Sequence, residues 1–99
     1  MISRQWRGLV KATRSEDYVQ HLRTETFPAL SKLPGFVRAT IHRRHLPDGV
    51  EYVVVTEWAS LESIRQFAGD EAERAVVPAV AREMMLEYDQ FARHYEIVE

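Results

Sequence analysis

The segment from Glu51 to Trp58, EYVVVTEW, restricts the possible folds more than any other part of the chain. Its centre, Tyr52-Val53-Val54-Val55, is rich in residues favoured in strands and presents apolar side chains on both faces. A sheet that exposes one face to water needs apolar side chains on the other face only. The segment therefore predicts a central strand that is covered on both sides.

A compact turn precedes this strand. In Pro47-Asp48-Gly49 the proline presets φ and the glycine supplies φ > 0. The stretch before the turn, Phe36 to Leu46, is predicted as a strand, so the two segments should form a β-hairpin. Two further strands are predicted from Ile2 to Val10 and from Phe91 to Val98.

The first helical region lies between the first two strands. Apolar residues recur at near-helical intervals from Glu16 to about Leu33, which predicts a helix. Pro28 should bend this helix or divide it, because proline removes one hydrogen bond of the helix interior. Pro34-Gly35 should stop it.

A second helical region follows the hairpin. Ser60 is placed to cap a short helix that runs through Ala68 and ends at Gly69. A third helical segment is predicted from roughly Glu71 to Tyr88, and Pro78 should interrupt it.

The order of these elements is β-α-β-β-α-β, which is the ferredoxin-like split βαβ pattern. We therefore expect an α+β fold in a single domain, residues 1–99, with helices on one face of a four-stranded antiparallel sheet. The other face would be bare, although the central strand is apolar on both sides. A second copy of the chain is the simplest cover, so we predict a homodimer packed sheet on sheet.

Composition excludes several classes of function. The net charge of -2 gives no field for binding nucleic acid, and no apolar run approaches the length of a membrane span. The chain has no cysteine, which rules out disulfides, thiolate metal sites and cysteine nucleophiles. Because metal-ligand spacings and dinucleotide fingerprints are also missing, we expect no cofactor. We expect a cytoplasmic protein.

Three short motifs accompany this order of elements: W-x-S at Trp58 to Ser60, F-A-G-D at Phe67 to Asp70, and the closing Arg93-His94-Tyr95-Glu96. With them the chain resembles the antibiotic-biosynthesis-monooxygenase-like family of the dimeric α/β-barrel superfamily. The resemblance implies a pocket between the sheet and its helices, and two monomers whose sheets pair into a barrel. It also implies a range of activities, from cofactor-free oxygenases acting on polycyclic aromatic phenols or anthrones to haem degradation.

The resemblance argues against haem degradation. Trp58 falls where the haem-degrading members have a pocket tryptophan, but their strand-one asparagine falls here at Trp6. Their haem-ligating histidine should fall near Ala68 or a few residues later, and residues 67–82 contain no histidine.

The candidate pocket residues follow from strand periodicity. Arg4 and Trp6 share one face of the first strand, as Tyr52 and Trp58 share one face of the third. If both faces look towards the helices, the two tryptophans could line one cavity or could simply be core. Arg4 could meet an anionic substrate group or form a salt bridge at the strand end. Met84 is a further candidate wall residue, with core as its other interpretation.

Two candidate catalytic residues lie near the end of the chain. His94 could act as a general base, and the more common interpretation of such a residue is a hydrogen-bonded structural histidine. Tyr95 is the fallback as a donor. His21 is interpreted as an exposed residue that pairs with Glu25 one turn later.

Two functions from different classes follow. The first is a small dimeric enzyme resembling cofactor-independent monooxygenases that acts on a hydrophobic aromatic metabolite. The second is a non-catalytic dimeric protein that binds a small ligand or serves as an auxiliary domain. A structural protein with a filled interior is a third possibility, and a cavity of roughly 300 Å³ or more would argue against it.

Overall fold

One antiparallel sheet of five strands organises the molecule in a computed structural model that describes residues 1–99. The strands are β1 (Ile2–Val10), β2 (Phe36–Leu46), β3 (Gly49–Trp58), β4 (Met85–Tyr88) and β5 (Arg93–Glu96). The order β2-β3-β1 continues at the far edge of β1, which β4 and β5 share. The predicted α+β fold, with its antiparallel sheet and its helices on one side, is confirmed.

The last third of the chain differs from the prediction. Of the helix expected over residues 71–88, only Ala79–Arg82 is helical, and Met85–Tyr88 is a strand. The edge of β1 provides the physical reason, because its backbone groups need partners. The Lys11 N–H donates to the Met84 carbonyl at 2.9 Å, and the Asp89 N–H donates to the Arg7 carbonyl at 3.0 Å. Pairing with β1 therefore prevails over helical periodicity and adds a fifth strand, β4, to the four predicted, while the strand predicted from Phe91 to Val98 is shorter and spans Arg93–Glu96.

The first helical region is continuous but not uniform. It consists of α1 (Ser15–His21), a π-helical segment (Leu22–Thr26) and α2 (Phe27–Leu30). Pro28 has no N–H for the Thr24 carbonyl four residues earlier, and the helix widens just before the proline. Pro28 does not divide the helix as predicted, because the helix continues through it, and the irregularity of this region is the π segment that precedes the proline.

The helix after the hairpin, α3 (Leu61–Ala68), begins and ends as predicted. The Ser60 hydroxyl accepts the Ser63 N–H at 3.3 Å. Gly69 follows the helix with φ of 84°, a conformation that glycine adopts without strain. The fourth helix, α4, is the single turn Ala79–Arg82. None of the helices is long and apolar enough to cross a bilayer.

The helix-facing side of the sheet carries two separate cores. The larger one lies around Val10, Tyr52 and Leu22, and the smaller one consists of Leu30, Trp58 and Ile64. This division leaves space between the two cores.

The opposite face of the sheet carries ion pairs. Glu51 lies 2.6 Å from Arg7 and 2.6 Å from Arg44, and Arg38 pairs with Glu57 at 2.7 Å. Hydrogen bonds from Arg44 and Arg7 lower the pKa of Glu51 to about 2.

Candidate functional site

A cavity of about 420 Å³ lies between the sheet, the first helical region and the segment that leads to α4. It is bounded by residues of both cores, including Leu22 of the larger one and Leu30 of the smaller one. Its volume falls within the range of small-molecule pockets, about 300–1,000 Å³. The interior is therefore not filled, which argues against a purely structural role.

The floor of the cavity comes from β1 and β3. The strands pair so that Arg4 lies opposite Thr56 and Trp6 opposite Val54, and all four residues line the cavity. The structure thus brings Arg4 and Trp6 together, as strand periodicity predicts. The Trp6 indole is fixed by a hydrogen bond of 2.9 Å from Nε1 to the Asp89 carbonyl.

Gly8 makes room for the Trp6 ring. A Cβ built at Gly8 would lie 2.6 Å from Cη2 of Trp6, which no real carbon atom could occupy without displacing the ring. The indole therefore lies across the glycine, and any larger residue there would push it away from the sheet.

Trp58 does not line the cavity, contrary to the position predicted for it. It is fully buried, and its ring stacks on Phe67 with centroids 6.0 Å apart. Although it shares a sheet face with Thr56, it lies two residues further along β3, where Ile64 of α3 covers it. Its Nε1 donates to Thr56 Oγ1 at 2.8 Å, so Trp58 lies behind the cavity floor and holds one of the floor residues, Thr56, in place.

Tyr52 and Met84 are also core residues rather than wall residues. The Tyr52 hydroxyl lies 2.6 Å from the Ser15 hydroxyl, in the interior of the larger core. Met84 is buried in the same core, and neither residue reaches the cavity. The prediction of these two as pocket residues is corrected because the larger core closes over them.

Arg4 is buried, with 5% of its surface exposed, and it forms no salt bridge. Its guanidinium donates to the Ala72 and Arg74 carbonyls and contacts Nε2 of His94 at 2.7 Å. Burial lowers the pKa of Arg4 to about 10, an effect that the charge of Glu73 partly opposes. The sheet thus holds an arginine whose charge is balanced by dipoles and not by a contacting carboxylate.

His94 lies behind Arg4 and not in the cavity. Because a guanidinium can only donate, His94 Nε2 accepts, and the imidazole is neutral with its proton on Nδ1. Burial and the Arg4 charge lower the pKa of His94. Its unprotonated nitrogen is therefore occupied by Arg4.

Tyr95 faces the other way. It pairs in register with Ser3 on the open side of the sheet and is half exposed. The cavity thus contains neither of the two residues predicted as catalytic, His94 and Tyr95. Both instead border a second, more polar cleft near Arg74.

His21 is the histidine that lines the cavity. It is half-buried at the end of α1, and its Nε2 lies 3.3 Å from the Thr26 hydroxyl. The expected pair with Glu25 is not among the ion pairs of the chain. Pro28 indicates that this helix is irregular. The sequence contains no signal, however, that this part of the helix, with His21, lies against a cavity.

Tyr18, one turn before His21, adds a phenol to the helical wall. Its ring meets Tyr52 edge-on with centroids 5.0 Å apart, and burial raises its pKa. The hydroxyl therefore stays protonated and can donate.

The cavity as a whole combines apolar and aromatic walls with polar groups on two sides, from the sheet and from α1. No cluster of ligating side chains suited to a metal ion occurs in the structure.

An antiparallel sheet with helices on one side and a cavity under them defines the ferredoxin-like class of small α+β proteins. This chain belongs to the antibiotic biosynthesis monooxygenase family, whose family model matches residues 1–79. The match includes Arg4, Trp6, His21 and Thr56, and it ends before His94.

Solved structures of other proteins share this fold. A Bacillus cereus protein classed by its name as an antibiotic biosynthesis monooxygenase has a TM-score of 0.65 at 21% identity, over 96% of this chain and 89% of its own. SnoaB, a cofactor-independent oxygenase from Streptomyces nogalater, has a TM-score of 0.61 at 20% identity, over 99% of this chain and 93% of its own. Among proteins with curated descriptions, none matches this chain.

Proposed function

We propose that this chain is a homodimeric, cofactor-independent monooxygenase-like enzyme that oxidises a hydrophobic aromatic metabolite inside the cavity. The observation that carries the proposal is the cavity of about 420 Å³, in which the aromatic residues Trp6 and Phe27 lie in the same lining as one histidine. Family membership and the described activity of SnoaB support it. A cytoplasmic location stays a prediction.

His21 is the general base in this proposal. It removes a proton from an acidic C–H or O–H of the substrate, a role that histidine fills more often than any other residue. The substrate anion then gives electrons to O₂, and a C–O bond forms to a hydroperoxide. Loss of water leaves a carbonyl, so that CH₂ and O₂ become C=O and H₂O. All electrons come from the substrate, and no separate reductant is needed.

His21 suits this role better than His94 because of what each imidazole contacts. The Nε2 of His94 is held by the Arg4 guanidinium, whereas His21 contacts only a neutral hydroxyl at 3.3 Å. A weak partner of this kind leaves the nitrogen available to a ligand in the cavity.

Oxygen uptake tests this proposal, with a hydroxylated anthrone as the probe. We expect the wild type to consume one O₂ per quinone formed, without free hydrogen peroxide. His21→Gln should lower kcat about 10²- to 10⁴-fold, the usual contribution of a positioned base. His45→Gln, which changes an exposed histidine near the hairpin turn, is the matched control and should keep full activity. Wild-type uptake no faster than that in buffer would contradict the enzyme proposal.

A non-catalytic ligand-binding protein is the second candidate. The observation in its favour is that neither His94 nor Tyr95 reaches the cavity. In that case the same anthrone should bind and quench Trp6 fluorescence while oxygen consumption stays at the level of the buffer.

The homodimer in this proposal forms through the open face of the sheet. Val53 and Val55 lie half-buried in the middle of that face, and the ion pairs of Glu51 and Glu57 flank them. Light scattering should give twice the chain mass of 11.5 kDa. Val55→Glu should yield monomer, and Val80→Glu, at an exposed position on α4, should leave the dimer intact. A wild type that is monomeric at micromolar concentration would refute this interface.

A further inference from the structure

Arg4 is a buried cation that lacks a negative partner inside the chain. Its hydrogen-bonding contacts are two backbone carbonyls and the neutral imidazole of His94, and the Phe67 ring lies 5.6 Å from its Cζ. Glu73 is the carboxylate whose charge raises its pKa, and it does not reach salt-bridge distance. Buried arginines are rarely left without an anionic partner. Dipoles therefore balance the charge inside the chain, and a bound anion would stabilise it further.

The Nε–H of Arg4 is the group that such an anion would meet. Each terminal nitrogen takes part in at least one hydrogen bond, whereas Nε makes none. No buried polar side-chain atom in the structure lacks a partner, so Nε must keep an accessible surface. Because Arg4 lines the cavity and not the polar cleft behind it, we infer that this N–H is open to the cavity.

Thr56 supplies a second free donor beside it. The two residues are direct partners across β1 and β3, and both line the cavity. Thr56 Oγ1 accepts the indole N–H of Trp58 at 2.8 Å, and the hydroxyl proton has no acceptor within the chain. Trp58 thus occupies one lone pair of the hydroxyl and leaves its proton to a ligand.

We propose that Arg4 and Thr56 form an anion-recognition pair, and that the ligand of the cavity is bound through a negatively charged oxygen, that of a phenolate or a carboxylate. This inference rests on the proposed function, because it names the residues that would bind the substrate in the same cavity. The pair would hold the negative oxygen on the sheet side while the ring lies among the apolar walls.

The pair is organised before any ligand arrives. The carbonyls of Ala72 and Arg74 and the imidazole of His94 hold the guanidinium in place, and Phe67 lies 5.6 Å from its Cζ. Little side-chain entropy is then lost on binding, which favours affinity. His94 is a positioning residue in this account, since it acts on the ligand through Arg4.

The test uses 4-nitro-1-naphthol, whose ionised form differs in colour from the phenol, together with its methyl ether and 1-naphthoate. Binding to the wild-type protein should lower the apparent pKa of the naphthol by about one unit, because the protein prefers the anion roughly tenfold. The methyl ether, which has the same ring and no ionisable oxygen, should bind about tenfold more weakly or worse.

Thr56→Val is the decisive variant because it keeps the shape of the side chain and removes the hydroxyl. It also removes the acceptor of the Trp58 indole N–H, so binding of the methyl ether reports whether the cavity itself is intact. It should weaken naphtholate binding about tenfold while binding of the methyl ether stays unchanged. Thr56→Ser keeps the hydroxyl and is the matched control. Arg4→Met should abolish the preference for the anion, but Arg4 also fixes residues 72–74, so the result counts only if the melting curve stays cooperative.

The outcomes separate this inference from the proposed function. If naphthol and ether bind equally well in the cavity, the anion pair is wrong although the cavity still binds aromatic ligands. Tighter binding of naphtholate or of 1-naphthoate identifies the anionic oxygen as that of a phenolate or of a carboxylate, and equal affinities for both anions and the ether contradict the pair. If none of the three probes binds while the anthrone still consumes oxygen, the pair is overturned and the enzyme stands.

Discussion

Replacing Gly8 with alanine should displace Trp6 from its place over β1. The added Cβ would lie 2.6 Å from Cη2 and 3.1 Å from Cζ3 of the indole, and 3.3 Å from the sulfur of Met85. Carbon atoms in contact prefer a separation of about 3.5–4.0 Å, so the ring has to move by roughly 1 Å. The cavity offers the free space, and the indole should move into it.

The expected loss of stability follows from two opposing terms. Overpacking of this kind costs about 1–3 kcal/mol. The φ of Gly8 is not positive, so alanine fits the backbone and restricts the unfolded chain, which returns about 0.4–1 kcal/mol. We expect a net loss of about 1–2 kcal/mol in the free energy of unfolding. For a domain of this size the Tm should fall by about 4–16 °C.

A double-mutant cycle with Trp6→Phe isolates the contact. Phenylalanine lacks the outer indole atoms that meet the new methyl group, so Gly8→Ala should cost at least about 1 kcal/mol less in that background. Urea unfolding followed by circular dichroism, at one fixed protein concentration, gives the four free energies. If the two changes add without coupling, the close approach of Gly8 and Trp6 does not set the position of the indole.

Other predictions concern the ion pairs, a helix cap and His94. The pKa of Glu51 is lowered to about 2 from 4.5, so its ion pairs stabilise the fold above pH 4.5 and this contribution is lost as the pH falls towards 2. Glu51→Gln should therefore lower the Tm at pH 7 and flatten the acid side of the curve of Tm against pH; an unchanged curve would contradict this. Ser60→Ala removes the hydroxyl that accepts the Ser63 N–H and should cost about 1 kcal/mol in urea unfolding, and a loss below 0.3 kcal/mol would show that the cap is unimportant. The pKa of His94 is lowered by burial and by Arg4, so its contribution is complete above its ordinary value of 6.5 and is lost as the pH falls through the folded value. His94→Gln keeps an acceptor for Arg4 without titrating, and should remove that part of the decline in Tm below pH 6.5; a decline identical to the wild type would refute the assignment.

The hairpin could be predicted because its signals are local. Pro47-Asp48-Gly49 marks the turn, which lies at Pro47 and Asp48, although Gly49 begins β3 without the positive φ expected of it. β2 has the predicted bounds, and β3 begins two residues earlier than predicted. The segment around Met84 and Tyr88 could not be assigned in the same way. Residues four apart share a face in a helix and in a strand alike, and only the open edge of β1 decides between the two.

The floor of the cavity was predictable, and its boundary was not. Period two placed Arg4 and Trp6 on one face of β1, which the register confirms. Trp58 follows the same periodicity but lies under α3. Strand periodicity predicts the face on which a residue lies, and it does not predict which helix covers that residue. His21 was missed because its position depends on a π segment, which forms in response to Pro28 and to packing.

The central claim is that the cavity between the sheet and α1 is where an aromatic ligand binds. A crystal structure of the protein with 4-nitro-1-naphthol bound at neutral pH tests it most directly. We predict the ring between Trp6 and the first helical region, with its ionised oxygen within about 3.2 Å of Arg4 Nε and of the Thr56 hydroxyl. A ligand bound only in the polar cleft beside His94, or on the open face of the sheet, would contradict the claim.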